Sequence, residues 1–295
     1  MPIIDMPLRL LLEQVNRPPA AGAAARPPVD EQQLVKLLPK IGCAVESLAD
    51  TRQFLCTRCG KISDRTEAQG PPLHCTHCGA DHRERPDTLR DLGPNRVIRL
   101  ELLAVRPDIF DVGGMSRLVR GYLGLKPGAP RYDVRPPRLR VRVDPRLSEE
   151  SSLRPHIVCA VLRGVRLDGD LIKLLMNLQE DLHWALGRNR KLASIGVYDL
   201  DTLRGDTFSY EAVAPDGVRF VPLGFSPDQP GANLTPAEIL ERHKTGQEFA
   251  HLLRSMSAYP LLRDGAGTVL SMPPIINSEA TRVTPKSTQL FVDVT

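Results

Sequence analysis

No stretch of this 295-residue chain approaches the roughly 18 consecutive apolar residues that span a bilayer, which excludes a membrane-spanning helix. The opening "MPIIDMPLRLLLEQV" carries acidic residues and lacks a small-residue cleavage site, so it does not read as a signal peptide. Also missing are the phosphate loop G-x-x-x-x-G-K-[ST], a G-x-G-x-x-G turn after a strand, the H-E-x-x-H metal helix and the G-x-S-x-G nucleophile elbow. These absences set aside P-loop NTPases, dinucleotide enzymes, zinc proteases of that type and serine hydrolases of the α/β type. Neither an internal repeat nor a heptad run is present. A cytoplasmic location is expected.

What is there is an ordinary globular composition, 41% hydrophobic and 25% charged, which is enough for a buried core. The net charge of +4 tolerates a polyanionic partner without demanding one.

Cysteine carries the most specific signal. Four of the six cysteines fall in "CTRCGKISDRTEAQGPPLHCTHCGA", two C-x2-C pairs separated by fifteen residues. Cys56, Cys59, Cys75 and Cys78 are therefore expected to bind one structural Zn2+ as a zinc ribbon, with Gly60 and Gly79 in the turns that follow each pair. Disulfides are the less favoured use of such cysteines in a cytoplasmic chain. Four thiolates complete a tetrahedron and leave no open position for chemistry. The nearby His74, His77 and His82 are read as surface groups.

The spacing predicts an α/β protein, of the α+β kind with a mixed sheet, in two parts. A small N-terminal α/β domain covers 1–125 and is interrupted by the ribbon at 51–82; a Pro-rich linker at 126–138, "KPGAPRYDVRPPR", leads to a second α/β domain at 139–295. Residues 17–29, "RPPAAGAAARPPV", read as a loop after the first helix and before a helix at "DEQQLVKLLPKIG". "LGPNRVIRLELLAV" reads as a strand, and Met115, Leu118, Val119, Tyr122 and Leu123 as one face of a helix. In the second domain "RLRVRV", "HIVCAVLRGV", "SIGVYDL", "TFSYEAV" and "VRFVPL" read as strands, the last two joined into a hairpin by "APDG". "DGDLIKLLMNLQEDLHWALG" reads as a long helix begun by an Asp and ended at Gly187, and Thr235, Pro236 and Glu238 as a capping box opening another.

Polar clusters mark the candidate chemistry. Arg188, Arg190 and Lys191 follow the long helix, while Asp199 and Asp201 lie at period two on or just beyond the next strand. One reading gives the cations a phosphate backbone and the carboxylates a polar pocket. The other has the cations neutralising a helix C-terminus and the aspartates ending a strand. Near the end, "SMPPIINSEATRV" turns at two prolines and then crowds Asn277, Ser278, Glu279 and Thr281 together.

The runs "RPDIFDVGGMSRLVRGYLG", "RPHIVCAVLRGVRLD", "LMNLQEDLHWALGRNRKLASIGVYDLDTL", "YPLLRDGAGTVLSMPPIINSEATRV" and "STQLFVDVT", in that order, strongly resemble the N-terminal part of the phenylalanyl-tRNA synthetase beta subunit of archaeal and eukaryotic type. The resemblance covers most of 93–295 and, more loosely, 1–50. It implies an editing module that hydrolyses tyrosine wrongly esterified to tRNA(Phe). The four cysteines are a departure from the family pattern. So is the lack of the DNA-binding-like and degenerate synthetase regions that follow in the family, and of the aminoacylation motifs that its alpha subunit supplies.

The resemblance implies roles for the polar clusters. Glu279 would accept the phenol hydroxyl of tyrosine, with Ser278 and Thr281 beside it and Pro273, Pro274 and Ile275 forming a wall against the ring. Asp199, Asp201 and Asn277 would position the water or the substrate amine, and Arg188, Arg190 and Lys191 would hold the tRNA 3′ end. The histidine that the bacterial branch carries before its "DLD"-like motif has no counterpart in "SIGVYDLD". Implied partners are tRNA(Phe) and either the synthetase alpha subunit or a separately encoded C-terminal half of the beta subunit. A non-catalytic RNA-binding or assembly module derived from the beta subunit is the alternative.

Overall fold

The computed structural model describes residues 3–18, 26–58, 60–76, 78–103, 105–129, 131–148 and 154–295. Part of the Pro/Ala-rich stretch, together with Cys59 and His77, lies outside them.

The first half is built on a four-stranded antiparallel sheet. Strand β1 (Ile3–Pro7) leads into helix α1 (Leu8–Val15), and α2 (Glu31–Leu37) precedes the long strand β2 (Ala44–Cys56). Strands β3 (Ile62–Arg65) and β4 (Leu89–Glu101) complete the order β1-β4-β2-β3, and α3 (Val112–Tyr122) follows. Leu8, Leu11 and Val15 recur at helical spacing on α1 and meet Leu34, Met115 and Val119 over Ile98 and Leu100. The face expected of α3 holds at Met115 and Val119, whereas Tyr122, its last residue, is exposed. Both α2 and α3 start on aspartates whose side chains accept backbone N–H groups, Asp30 from Gln33 and Asp111 from Gly113 and Gly114.

Strands β2 and β4 stay paired from Ala44↔Glu101 to Cys56↔Leu89. The cysteine ribbon is the far tip of this pair.

The second half holds two further sheets. Strand β5 (Arg140–Val143), β6 (Val158–Arg163), helix α4 (Gly169–Ala185), β7 (Ile195–Asp199) and β8 (Thr207–Val213) come first. Then follow α5 (Pro236–Arg242), α6 (Lys244–Phe249), β9 (Tyr259–Arg263), β10 (Val269–Met272), β11 (Ile276–Asn277) and β12 (Gln289–Val294). One sheet runs β11-β10-β9-β8-β5, with β5 and β8 parallel; the other runs β6-β12-β7 and is antiparallel. Tyr198, Phe208, Tyr210, Leu262, Leu270 and Phe291 fill the space between them, Phe208 and Phe291 meeting edge to face at 5.1 Å. Helix α4 is capped by Asp168 and α5 by the Thr235–Glu238 capping box, as their sequences predict.

The hairpin expected through "APDG" does not form. Residues 218–223 make only isolated bridges, because β8 already has β9 on one side and β5 on the other and offers no free edge. The turn survives, with Gly217 N–H on the Ala214 carbonyl at 2.9 Å. Among the described residues no helix is long and apolar enough to cross a membrane.

The end of α1 is fixed by Arg120, a buried residue of α3. Its guanidinium donates to the carbonyls of Val15, Arg17 and Pro18 at 3.0, 2.6 and 2.8 Å. Arg120→Ala should therefore destabilise the protein by about 3 kcal/mol in chemical denaturation, since three carbonyls lose a charged donor. Arg120→Lys should recover little of that loss, because one ammonium cannot reproduce the planar fork.

Candidate active site and cysteine centre

Strand β7 is the edge of its sheet, and along it opens a cavity of about 630 Å³. Ile172, Leu175 and Met176 of α4, Phe249 of α6 and Ile275 supply apolar walls, and residues of the cysteine ribbon close one side. Tyr198, Ser271, Asn277 and Asp293 supply a polar cluster in the same cavity.

That cluster follows from strand register. Phe291 lies opposite Tyr198 and Asp293 opposite Gly196, so at period two these four residues share one face of the sheet. The Tyr198 hydroxyl lies 2.5 Å from Asp293 Oδ1 and 2.7 Å from Ser271 Oγ. Having one hydrogen, it donates to the carboxylate and accepts from the serine. Ser271 in turn pairs with Asn277 across β10 and β11, and Asn277 Nδ2 donates to the Val197 carbonyl at 3.3 Å. A Cβ on Gly196 would stand 1.9 Å from the Tyr198 hydroxyl and 2.3 Å from Asp293 Oδ1, so only glycine leaves room for the cluster.

Asp293 is 1% exposed and has no ion-pair partner among the described residues. Burial pushes its carboxyl up to about 6, against the smaller opposing effect of the Tyr198 hydrogen bond. Burial likewise raises the Tyr198 phenol, and the charge of Asp293 adds to it. Burial also pushes the Cys159 thiol up to about 12, so it is no nucleophile.

Arg190 turns inward, contrary to its expected phosphate role. It is 9% exposed and donates to the Pro274 and Ile275 carbonyls at 3.3 and 2.8 Å and to Glu180 at 2.7 Å, with its guanidinium 4.4 Å over the Phe249 ring. A left-handed turn delivers it there, with φ of 48°, 54° and 64° at Arg188, Asn189 and Arg190. Burial alone would raise the Glu180 carboxyl, but the bond to His183 and the charge and bond of Arg190 prevail and hold it down to about 2. His183 accepts the Ile195 N–H on Nε2 at 2.8 Å, which leaves its Nδ1 proton facing Glu180 at 3.5 Å. The Nε2 bond ties α4 to β7, whereas Nδ1 faces a residue of α4 itself. Arg188 and Lys191 are exposed and do not line the cavity.

Several other expected site residues also lie outside the cavity lining. Asp199 accepts from the Asp201 N–H at 2.9 Å and from the Ser287 hydroxyl at 2.6 Å. Asp201 accepts from the Thr288 N–H and hydroxyl at 2.7 and 2.9 Å and from Gln289 Nε2 at 2.8 Å. These aspartates end β7 and secure the approach to β12, as the second sequence reading has it. Glu279 accepts the Gly224 N–H at 3.0 Å and pairs with Arg282 at 3.1 Å. Ser278 and Thr281 are 2% and 1% exposed; the Ser278 hydroxyl takes the Ala280 N–H and the Thr281 hydroxyl donates to the Leu270 and Ser278 carbonyls. Pro273, Pro274, Ile275 and Asn277 do line the cavity. The sequence reading did not pick out Tyr198, Ser271 and Asp293. The signal for Asp293 is an acid set among β-branched residues in "FVDVT", in phase with Phe291.

At the ribbon tip the two halves repeat one geometry. Gly60 N–H meets the Cys56 carbonyl at 2.8 Å and Cys56 N–H meets Lys61; Gly79 N–H meets Cys75 at 2.9 Å and Cys75 N–H meets Ala80. Both glycines have positive φ, 76° and 71°, as expected. The thiols of Cys56, Cys75 and Cys78 all lie within 4.8 Å of one another and can hold a metal ion; the expected fourth ligand, Cys59, lies outside the described residues. Cys56 and Cys78 sulfurs are 3.7 Å apart, too far for a disulfide and close to the ~3.8 Å that Zn–S bonds of about 2.3 Å require in a tetrahedron. His82 is not a surface group: it is buried, its Nδ1 2.9 Å from the Thr88 hydroxyl. His74 stays partly exposed, 3.4 Å from Asp81.

No family model matches the chain. It is 42% identical over 198 residues to the phenylalanine-tRNA ligase beta subunit of Methanosphaera stadtmanae, covering 67% of this chain and 34% of that protein. The corresponding protein of Methanosarcina barkeri is 44% identical over 198 residues, covering 67% of this chain and 35% of the other. The crystal structure of an N-terminal fragment of the phenylalanyl-tRNA synthetase beta subunit from Pyrococcus horikoshii matches with a TM-score of 0.73 at 27% identity, over 99% of this chain and 67% of that one. The chain spans about a third of the length of the curated relatives it matches.

Two outcomes follow from the polar cluster. Gly196→Ala should cost about 2 kcal/mol or more, because the methyl group must displace Tyr198 or Asp293. The Asp293 carboxyl rises from 3.8 to about 6 on folding, so its contribution to stability is complete below 3.8 and lost as pH rises through about 6. Asp293→Asn keeps an acceptor for Tyr198 and should be the more stable protein above pH 6, by up to about 3 kcal/mol. Denaturation curves at pH 4 and pH 8 check both.

Proposed function

We propose that this chain, which is similar to about a third of the length of archaeal phenylalanine-tRNA ligase beta subunits and to a solved N-terminal fragment of one, is an aminoacyl-tRNA ester hydrolase that removes tyrosine wrongly attached to tRNA(Phe). The observation that carries this reading is Asp293, a buried carboxylate without a cation in a cavity with apolar walls. An isolated buried charge is costly, and a ligand ammonium supplies what the protein withholds. The α-ammonium of an aminoacyl ester meets that need, with its side chain against Leu175, Met176 and Phe249.

Selection of tyrosine requires a second polar partner for the phenol. A synthetic site that is apolar at that point separates the two amino acids by only about a hundredfold, while a site that hydrogen-bonds the hydroxyl rejects phenylalanine far more strongly. In this proposal Asn277 holds the attacking water, since one amide N–H is engaged with Val197 and the rest of the group faces the cavity. Glu279 contributes by fixing the loop at Gly224, and Asp199 and Asp201 by fixing the end of β7. Arg188 and Lys191 remain available for outlying phosphates of tRNA. The synthetase alpha subunit would supply aminoacylation, and a separately encoded C-terminal half of the beta subunit is the alternative partner.

The engagement of Asp199, Asp201 and Glu279 within the fold favours a second reading, a non-catalytic RNA-binding or assembly module. Deacylation assays with tyrosyl-tRNA(Phe) and phenylalanyl-tRNA(Phe) separate the two. The hydrolase reading expects the tyrosyl ester to be cleaved preferentially, with kcat/KM rising as pH passes about 6 and Asp293 ionises. Asp293→Asn should lower hydrolysis of both esters by one to two decades, about the worth of a charge-assisted hydrogen bond, and flatten the acid limb. Retention of that limb would assign it to another group such as Asp181, which burial also raises to about 6. Wild-type protein inactive on both esters would leave the module reading.

We further assign zinc to the ribbon, on Cys56, Cys59, Cys75 and Cys78. Closed by four thiolates, it would stabilise the fold and take no part in chemistry. Elemental analysis should find one zinc per chain, and Cys75→Ser should lose it along with the order of the ribbon.

A further inference from the structure

The cavity mouth is cationic, and its cations come from two separate parts of the chain. Lys61 and Arg90 stand on the ribbon side, Lys244 and Arg282 on the second half. Two cross-links join the sides: Lys244 Nζ donates to the Thr76 carbonyl at 3.1 Å, and Arg282 to the Arg58 carbonyl at 3.4 Å. The carboxylates of the same lining offset little of this charge, although a four-thiolate zinc centre behind the ribbon turns would carry a net charge of −2. Glu180 is neutralised by Arg190, Asp293 lies within the buried polar cluster, and Glu248 is the remaining carboxylate on α6. Arg282 is paired with Glu279, whereas Lys61 and Arg90 have no ion-pair partner among the described residues. Burial chiefly, and then the charge of Lys61, lower the nearby Lys173 ammonium to about 8, so Lys61 projects positive potential along this side.

We propose that the cysteine ribbon and the second half together form the entry for the single-stranded phosphodiester end of an RNA, with Lys61 and Arg90 as its phosphate contacts on the ribbon side. The proposal rests on the editing reading for the identity of the RNA as a tRNA acceptor end. A terminal aminoacyl group that enters the cavity across this rim brings the strand behind it past Lys61 and Arg90, whose charges no carboxylate takes up among the described residues. Lys61 is fixed for this purpose by the knuckle itself, its carbonyl accepting the Cys56 N–H at 2.9 Å. Such contacts position the strand and carry no base sequence.

The test is binding of an uncharged, fluorescently labelled RNA hairpin that copies an acceptor stem with its single-stranded CCA end, titrated with the full chain at several salt concentrations. Lys61→Ala combined with Arg90→Ala should weaken binding about 25-fold at 0.1 M salt and reduce the slope of log affinity against log salt by about 1.4, two single-strand phosphate contacts. Zinc content and melting temperature should match the parent, because neither side chain supports the fold. Equal affinity and slope in parent and variant would overturn the proposal. So would a loss that is the same at every salt concentration, or the same loss on a hairpin lacking the single-stranded end. Rim-dependent binding by a parent that deacylates nothing would leave this inference standing and sink the editing reading. A parent that deacylates, with KM unchanged in the double variant, would do the reverse.

Discussion

The guanidinium of Arg190 is the interaction on which the cavity depends. It gathers three pieces of chain that no sheet joins: the end of α4 through Glu180, the connection between β10 and β11 through the Pro274 and Ile275 carbonyls, and α6 through the face of Phe249. Five fixed donors and a flat face suit this task, and a lysine could satisfy one of the three partners at a time. The left-handed backbone at Arg188, Asn189 and Arg190 is unfavourable for side chains of this kind, at roughly 1–2 kcal/mol per residue. A buried hydrogen-bonded cation over an aromatic ring offsets that cost. An outward-facing loop of exposed cations would have no reason to adopt it.

The polar cluster is organised on the opposite principle, by leaving charge unmatched. Tyr198 and Ser271 orient the Asp293 carboxyl without neutralising it, and Gly196 clears the space in which they meet. A carboxyl that titrates near 6 inside a protein is poised for a ligand that brings its own positive charge. The edge strand β7 contributes Gly196 and Tyr198, while the carboxylate comes from the interior strand β12. The inner face of β7 contributes Tyr198 to the core, while its free side borders open space.

Legibility in the sequence follows from how local each signal is. The knuckle turns and the Asp168 and Thr235 caps are set by residues within a few positions of one another, and all are present as read. The strand read at 218–223 has the right composition, but whether β8 has a free edge is decided by β5 and β9, which lie far away in sequence. Asp199 and Asp201 carry the right period for a shared pocket. Their carboxylates are taken instead by Ser287, Thr288 and Gln289, whose approach no local pattern announces. Glu279 is a similar case: besides the neighbouring Arg282 it takes a backbone N–H 55 residues earlier. Polar residues that crowd a turn compete first for backbone, and only those left over can face a ligand.

The ribbon joins the candidate site as an extension of the sheet beneath it. Pairing between β2 and β4 runs from the sheet core to Cys56 with register shifts at Val45/Ser47 and Gln53/Phe54, and β3 adds a second ladder to β2 within the ribbon. On β3 the ribbon is held to α4 by the Lys173–Asp64 ion pair, itself buttressed by Asn95 on Asp64 at 3.2 Å. The same face carries Cys56, Thr57 and Gly60 into the cavity wall. A metal that locks these turns would act at a distance from any chemistry, by fixing the shape of a wall. Since the first knuckle ends at Lys61, the stiffness of that wall and the placement of its charge are set by the same few backbone hydrogen bonds.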